Sequence, residues 1–186
     1  MKASRWLDVG LAGVLIGISL WRLQQVSLLQ TLLAIQTLVF AAQLVLRRQA
    51  KAESGWGVRV VAWGTALLPQ TLEPGPDAWA PIALQSLGLL MALAAQIGLG
   101  RSFGVAPADR GLVDGGAYRV IRHPIYAGEL VHFAGVVLSA VTGRNILVLA
   151  ALLVATIYRI EHEERIIERY AQYAGRVRWR LLPGVW

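Results

Sequence analysis

Eleven residues between two long apolar regions, Tyr118–Gly128, read Y-R-V-I-R-H-P-I-Y-A-G and hold two arginines, a histidine, a proline and two tyrosines. A second polar cluster, R-I-E-H-E-E-R at Arg159–Arg165, follows one apolar hairpin later. Charged and titratable side chains are costly at membrane depth, so by default such clusters mark a site. Pro124 fixes its own φ and lacks an N–H, which suits the first turn of a helix and biases His123 toward extended backbone. His123 then stands at a helix entrance, where free N–H groups and the positive end of the dipole favour a carboxylate; a plain proline-capped helix with Arg122 reaching to the interface fits the same residues. Arg159 and Glu163 are one turn apart, where an apolar run ends. That spacing can hold an anionic and a cationic ligand group side by side. Together the two clusters point to a cofactor-binding enzyme built into a membrane.

The surrounding residues are less specific. Gly111–Tyr118 reads G-L-V-D-G-G-A-Y, and its glycines permit positive φ and close approach of the main chain to a ligand, or simply a surface turn. It lacks the spacing of a dinucleotide fingerprint and no strand precedes it. Glu129 and His132 share one face of the following helix, and Gly128 and Gly135 permit close helix packing beside them. Glu161, Arg165 and Arg169 follow four-residue spacing, as on a salt-bridged helix leaving a membrane. His162 among four glutamates has neither H-E-x-x-H nor another ordered ligand spacing, so no metal site is expected. The absence of cysteine excludes disulfides, thiolate nucleophiles and cysteine-ligated metals.

The elements that must position these groups are apolar helices. Of the 186 residues 56% are hydrophobic and only 16% charged, well below the roughly 25% of soluble domains. The apolar residues fall in six runs: Val9–Trp21, Leu28–Leu46, Val58–Leu72, Trp79–Leu99, Ile125–Val141 and Ile146–Tyr158. A membrane-spanning helix takes about 20 mostly apolar residues. The second and fourth runs meet that outright, and the others need their polar flanks or span only partly. The expected fold is therefore all-α, a polytopic membrane bundle of about five to six spans forming one domain over residues 1–186. Residues 1–99 supply nearly featureless helices and residues 100–186 hold the unusual polar groups. Lys2 and Arg5 precede the first run as in a signal peptide. No small-x-small cleavage site follows, so an uncleaved first helix is expected.

The net charge of +7 is distributed by side. Six crossings with the N-terminus inside place sixteen lysines and arginines on one face and only Arg22 and Arg144 on the other. Short loops biased in this way mark the cytosolic side, which then carries both termini and both polar clusters. Anionic lipid head groups, not nucleic acid, are the expected neighbours of that charge.

Combined, the motifs resemble a known family. Gly116, Tyr118, Arg122, His123, Pro124, Tyr126 and Gly128 spell G-x-Y-x-x-x-R-H-P-x-Y-x-G; an apolar hairpin, Glu163-Glu164 and the basic tail R-V-R-W-R-L-L-P at Arg176–Pro183 follow. This is similar to the isoprenylcysteine carboxyl methyltransferase family, related to the phospholipid N-methyltransferases, over roughly Leu112–Pro183. The resemblance implies a helical membrane enzyme that binds S-adenosylmethionine in a cytosol-facing pocket. Asp114, Gly115, Gly116, Ala117, Tyr118, His123, Pro124, Tyr126, Gly128, Glu163 and Glu164 would line that pocket. Arg159 takes the place of the family arginine that orients the acceptor, and Glu163 joins it as a catalytic candidate. The chain departs from the pattern where a short Arg169–Tyr173 segment replaces the expected F-G-x-x-Y.

Methyl transfer from a sulfonium needs no metal and no covalent enzyme intermediate. A carboxylate acceptor is already ionised, and alignment can lower the barrier by up to roughly 7–11 kcal/mol. The expected acceptor is lipophilic, a carboxylate of an isoprenoid- or lipid-like molecule that Arg159 could pair. A phospholipid amine would instead need a base such as His123 or Glu129. An NADPH-dependent sterol-type reductase shares part of the C-terminal pattern, but Glu163-Glu164 and the lack of an arginine pair for a 2′-phosphate favour methyl transfer. A non-enzymatic membrane component would scatter its polar residues through several helices rather than gather them near one face.

Overall fold

The computed structural model describes residues 2–25, 27–73 and 75–186, with side chains from residue 9 onward. The side chains of Lys2 and Arg5, expected on the basic face, lie outside the described set. Helices dominate: α1 (Lys2–Leu23), α2 (Leu28–Leu46), α3 (Trp56–Leu67), α4 (Trp79–Leu99), α5 (Pro124–Ser139), α6 (Gly143–Ile166) and the short α7 (Tyr170–Arg176). The strands among the described residues are β1 (Ala52–Glu53) and β2 (Ala108–Asp109), paired antiparallel with Ala52 opposite Asp109. The protein is an all-α helical membrane protein. Among the described residues, Leu28–Leu46, Trp79–Ser102 and Gly143–Ile166 are long and apolar enough to cross a bilayer unaided. The apolar helices Val9–Leu23 and Pro124–Ser139 are shorter.

Two of the six expected runs end elsewhere than their composition suggests. The third stops being α-helical at Leu67, and Pro69 carries the chain through a 3-10 turn over Leu68–Thr71. Helix and turn together extend about 26 Å at 1.5 and 2.0 Å per residue, a little short of the roughly 30 Å hydrocarbon core. The sixth runs on through the charged cluster to Ile166, so Arg159, Glu163 and Glu164 ride on the same rigid helix as the apolar span. Arg169 then takes a left-handed conformation, φ 63°, and the chain turns back, so Arg169 does not continue the charged stripe.

Small residues set the closest helix approach. A Cβ on Gly88 of α4 would lie 2.3 Å from the His132 nitrogen, and one on Gly128 of α5 2.5 Å from the Ala92 nitrogen. The two backbones therefore touch, as glycine allows in membrane helices. Gln43 and Gln96 join α2 to α4 deep in the bundle: Gln43 Nε2 donates to the Gln96 carbonyl at 2.7 Å, and Gln96 Nε2 to Gln43 Oε1 at 3.0 Å.

The bundle has two chemically distinct ends. At one, the Arg48 N–H bonds the Arg101 carbonyl, Lys51 bonds Asp109 and pairs with Glu168, and the tail joins the 122–123 segment. This end collects the basic loops. At the other, Asn145 ties the α3–α4 connection to the α5–α6 turn. Its Oδ1 accepts from the Glu73 N–H at 2.9 Å, while Nδ2 donates to the carbonyls of Glu73 at 3.0 Å and Ala140 at 2.8 Å. Thr142 Oγ1 caps α6 by accepting from the Asn145 N–H.

Candidate functional site

Two polar assemblies form at the basic end, one on each side of α6. The first is centred on Glu164, whose carboxylate draws together four elements. Arg180 donates from Nε to Oε1 at 3.0 Å and from Nη2 to Oε2 at 2.7 Å, the bidentate fork that suits arginine. Arg122 Nη1 reaches Oε1 at 3.0 Å, His123 Nε2 lies 3.2 Å away, and the Tyr170 hydroxyl donates at 3.3 Å. The backbone reinforces the junction, with the N–H groups of Arg122 and His123 donating to the carbonyls of Trp179 and Arg180 at 2.8 and 2.9 Å. Glu164 is thus the point where the tail is fastened to the start of α5 and the end of α6.

The second assembly faces a cavity of about 780 Å³ enclosed by α1–α5 and the 103–110 segment, with Arg159 and Glu163 of α6 at its wall. Arg159 is 92% shielded from solvent. Its Nη1 donates to Thr65 Oγ1 at 2.7 Å and its Nη2 to the Val105 carbonyl at 2.6 Å, while the guanidinium sits 4.9 Å from the centre of the Tyr126 ring. Its Nε is buried and has no partner among the described residues. The Tyr126 hydroxyl donates to Glu163 Oε2 at 2.8 Å, and Oε1 takes no hydrogen bond from the described residues. Tyr118, His123, Glu129 and His132 are also on the lining, and His132 Nδ1 lies 3.2 Å from the Gln85 carbonyl. The cavity therefore offers an open carboxylate oxygen beside a guanidinium with a spare N–H, both backed by aromatic rings.

The predicted residues divide accordingly. Tyr118, His123, Tyr126, Arg159 and Glu163 gather at the cavity wall. Pro124 opens α5 as its first residue. Gly128 lies in the α4–α5 contact. Asp114 is exposed and pairs with Arg176 at 2.8 Å, while a Cβ on Gly115 or Gly116 would meet nothing within 4 Å; Ala117 is the second residue of the 3-10 turn, Gly116–Arg119, that delivers Tyr118. Arg159 and Glu163 do not pair with each other, because each is drawn to a different partner across the cavity.

Burial shifts the phenols around this end. It pushes Tyr118 and Tyr170 well above the ordinary tyrosine value, helped by the negative charge of Glu163 at Tyr118 and of Glu164 at Tyr170. Tyr173, whose hydroxyl donates to the Tyr118 carbonyl at 2.7 Å, is raised by burial to about 12. These phenols are neutral hydrogen-bonding struts at physiological pH.

Sequence reasoning missed Thr65, Val105, Tyr170 and Arg180. Thr65 stands 94 positions from Arg159 in a helix with no other chemical signature, and nothing local marks it. Arg180 carried a usable signal, a basic tail following an acidic pair, but no stated partner.

The structure is thus a helical membrane bundle around a cavity whose wall carries Arg159, Glu163 and Tyr126. Residues 79–172, from the start of α4 into α7, match the phospholipid methyltransferase family, and the chain belongs to it. Methyltransferase activity is what that membership implies. The match takes in every residue of the R-H-P motif and both glutamates, and leaves out α1–α3 and the tail after residue 172. No curated protein is similar enough to the chain to count as a relative.

Proposed function

We propose that the protein is an S-adenosylmethionine-dependent methyltransferase of the membrane, with residues 1–186 working as one unit. Its acceptor is a lipophilic molecule held in the 780 Å³ cavity, a size within the usual range for ligand pockets. The observation that carries this reading is that Glu163 and Arg159 stand on one wall of that cavity, each with an uncommitted polar atom.

The methyl donor is a cationic sulfonium that supplies an activated methyl group when bound. The donor set fits it. Glu163 Oε1 is open to a positive group, the Tyr118 and Tyr126 rings offer apolar faces, and the open Gly115-Gly116 turn leaves room for close backbone approach. Tyr126 holds Glu163 in orientation, so the carboxylate need not reorganise when charge arrives. Arg159 is fixed at both terminal nitrogens by Thr65 and Val105, which leaves Nε to direct an acceptor oxygen toward Glu163. A carboxylate acceptor suits this arrangement and carries the likeness to isoprenylcysteine carboxyl methyltransferases. A phospholipid amine is the second reading, supported by Glu129 on the same lining as a base for an N–H proton. The basic end, with both termini and the site, faces the cytosol on this reading, in keeping with the bias of its loops.

Binding of S-adenosylmethionine, S-adenosylhomocysteine and NADPH to purified protein in detergent tests the reading. Micromolar binding of the first two is expected, with loss in Glu163→Ala; binding of NADPH alone would turn the assignment to a reductase. Arg159→Ala is expected to abolish turnover while leaving donor affinity within a few-fold. Equal loss of both rejects the acceptor role of Arg159.

A further inference from the structure

The cavity does not end at Arg159. It is lined by His123 at the basic end of α5 and by Ser139 at the far end, and so runs the helix length of about 24 Å at 1.5 Å per residue. Its middle is apolar, walled by Leu15, Leu33, Phe40, Leu89, Phe133 and Val136. Near its far end stands another cation, Arg22.

Arg22 belongs to the last turn of α1, at the end opposite the basic loops. A lone arginine there would ordinarily extend outward to the interface. This one turns inward. Its Nη1 contacts Thr37 Oγ1 at 3.4 Å, and Thr37 lies nine residues into α2, about 13 Å from that helix's start. The direction follows from helix geometry, because side chains lean toward the N-terminus of their helix, and from the last turn of α1 that direction runs back along the bundle. Arg22 is also within electrostatic reach of His132 on α5. No carboxylate acts on it among the described residues; Asp77, on the same rim, is exposed and makes no ion pair with it. Gln36, also on the lining, keeps a buried side-chain oxygen without a donor. A half-buried guanidinium with only a long hydroxyl contact is an unfilled polar station in an apolar channel.

We propose that Arg22, oriented by Thr37, whose own proton goes to the Leu33 carbonyl, is an anion-binding station inside the cavity, and that its ligand is an apolar molecule carrying an anionic group there. Arg159 lies over Tyr126, near the start of α5, whereas Arg22 reaches into the cavity from the last turn of α1 at the opposite end. A ligand occupying both stations is therefore bifunctional, with one polar group at Arg159 and an anionic group deeper in the cavity. A plain hydrocarbon chain would leave Arg22 without a counter-charge. Identifying this ligand as the methyl acceptor rests on the proposed function; its binding at Arg22 does not.

Isothermal titration of decanedioate and decanoate into purified protein in detergent separates the two. The wild type is expected to bind the dianion at least about tenfold more tightly. Arg22→Gln removes that advantage, and Arg22→Lys restores part of it. Arg144→Gln, which alters the ion pair with Glu73 at the same end but outside the cavity, leaves the advantage intact. Equal binding of both acids by the wild type, binding of neither, or an advantage that survives Arg22→Gln overturns the station. Displacement by acetate as effective as by decanedioate also overturns it, reducing the site to an adventitious ion only. A retained dianion advantage in a protein that fails to bind S-adenosylmethionine would sink the methyltransferase reading and leave the station standing.

Discussion

Replacing Glu164 by glutamine should unfasten the tail. The substitution keeps the shape and removes the charge that Arg122, His123, Tyr170 and Arg180 converge on. The arginine side chains are 13% and 29% exposed, so the variant leaves two guanidinium groups partly buried without their counter-ion. Breaking a buried pair on one side costs about 3–5 kcal/mol. Because Arg180 retains some solvent, the lower end applies here, about 3 kcal/mol, or roughly a hundredfold in the closed-to-open ratio of the tail. Trypsin reports the opening directly, since Arg176, Arg178 and Arg180 are cleavage positions within the fastened segment. Cleavage there, followed by mass spectrometry in native detergent, should accelerate by that factor, with a matching loss in an SDS-unfolding titration. Glu161→Gln, which removes the exposed pair with Arg165 at 3.8 Å and only a weak longer-range attraction to Arg180, serves as the control and should leave both readouts near wild type. Arg180→Met combined with Glu164→Gln should cost less than the sum of the two. The reasoning fails if Glu164→Gln leaves both the cleavage rate and the unfolding midpoint at wild-type values.

Two further expectations concern packing and ionisation. Gly128→Ala forces a Cβ to within 2.7 Å of backbone atoms in Ala92 and Gly88, so a loss of about 1–3 kcal/mol is expected in the ligand-free protein, whereas Gly64→Ala, which opens onto free space, should cost nothing in the same thermal melt. Burial raises Tyr118, Tyr170 and Tyr173 above the ordinary phenol value of about 10, so the fold favours their neutral form. Their contribution is complete below pH about 10 and is lost as pH rises through about 12 at Tyr173; late growth of phenolate absorbance alongside loss of helical circular dichroism is the expected signature, and ionisation of all five tyrosines near pH 10 with helicity intact would contradict it.

The helices were legible because apolar runs in a membrane have few alternatives, and Pro124 announces the start of α5 through its own stereochemistry. The glycines at 128 and 135 were legible as packing positions, since glycine permits close helix approach there, although Gly128 was also expected to line the cofactor pocket. The end of α3 was not, because Leu68 looks as apolar as the residues before it and Pro69 acts locally. Partnerships were harder still. Glu163 and Glu164 are neighbours in a run of charge, yet helical rotation sends one into the cavity with Tyr126 and the other to the tail with Arg180. The apparent plainness of residues 1–99 misled in another way, since Arg22, Gln36, Thr37 and Thr65 are single polar residues whose meaning comes only from the common cavity they line.

The Asn145 junction gives the molecule a fulcrum. With the Glu73 main chain, the Ala140 carbonyl and the cap of α6 gathered on one side chain, α3 and the α5–α6 hairpin are pinned together at the far end. Any spreading of these helices must pivot there and grow with distance along α6, where Arg159, fourteen residues or about 21 Å from Asn145, meets Thr65 and Val105. The guanidinium of Arg159 then works as a catch on a lever: small tilts of the helices about Asn145 make or break its two bonds, so the cavity would open at the catch before it opened anywhere near the pivot.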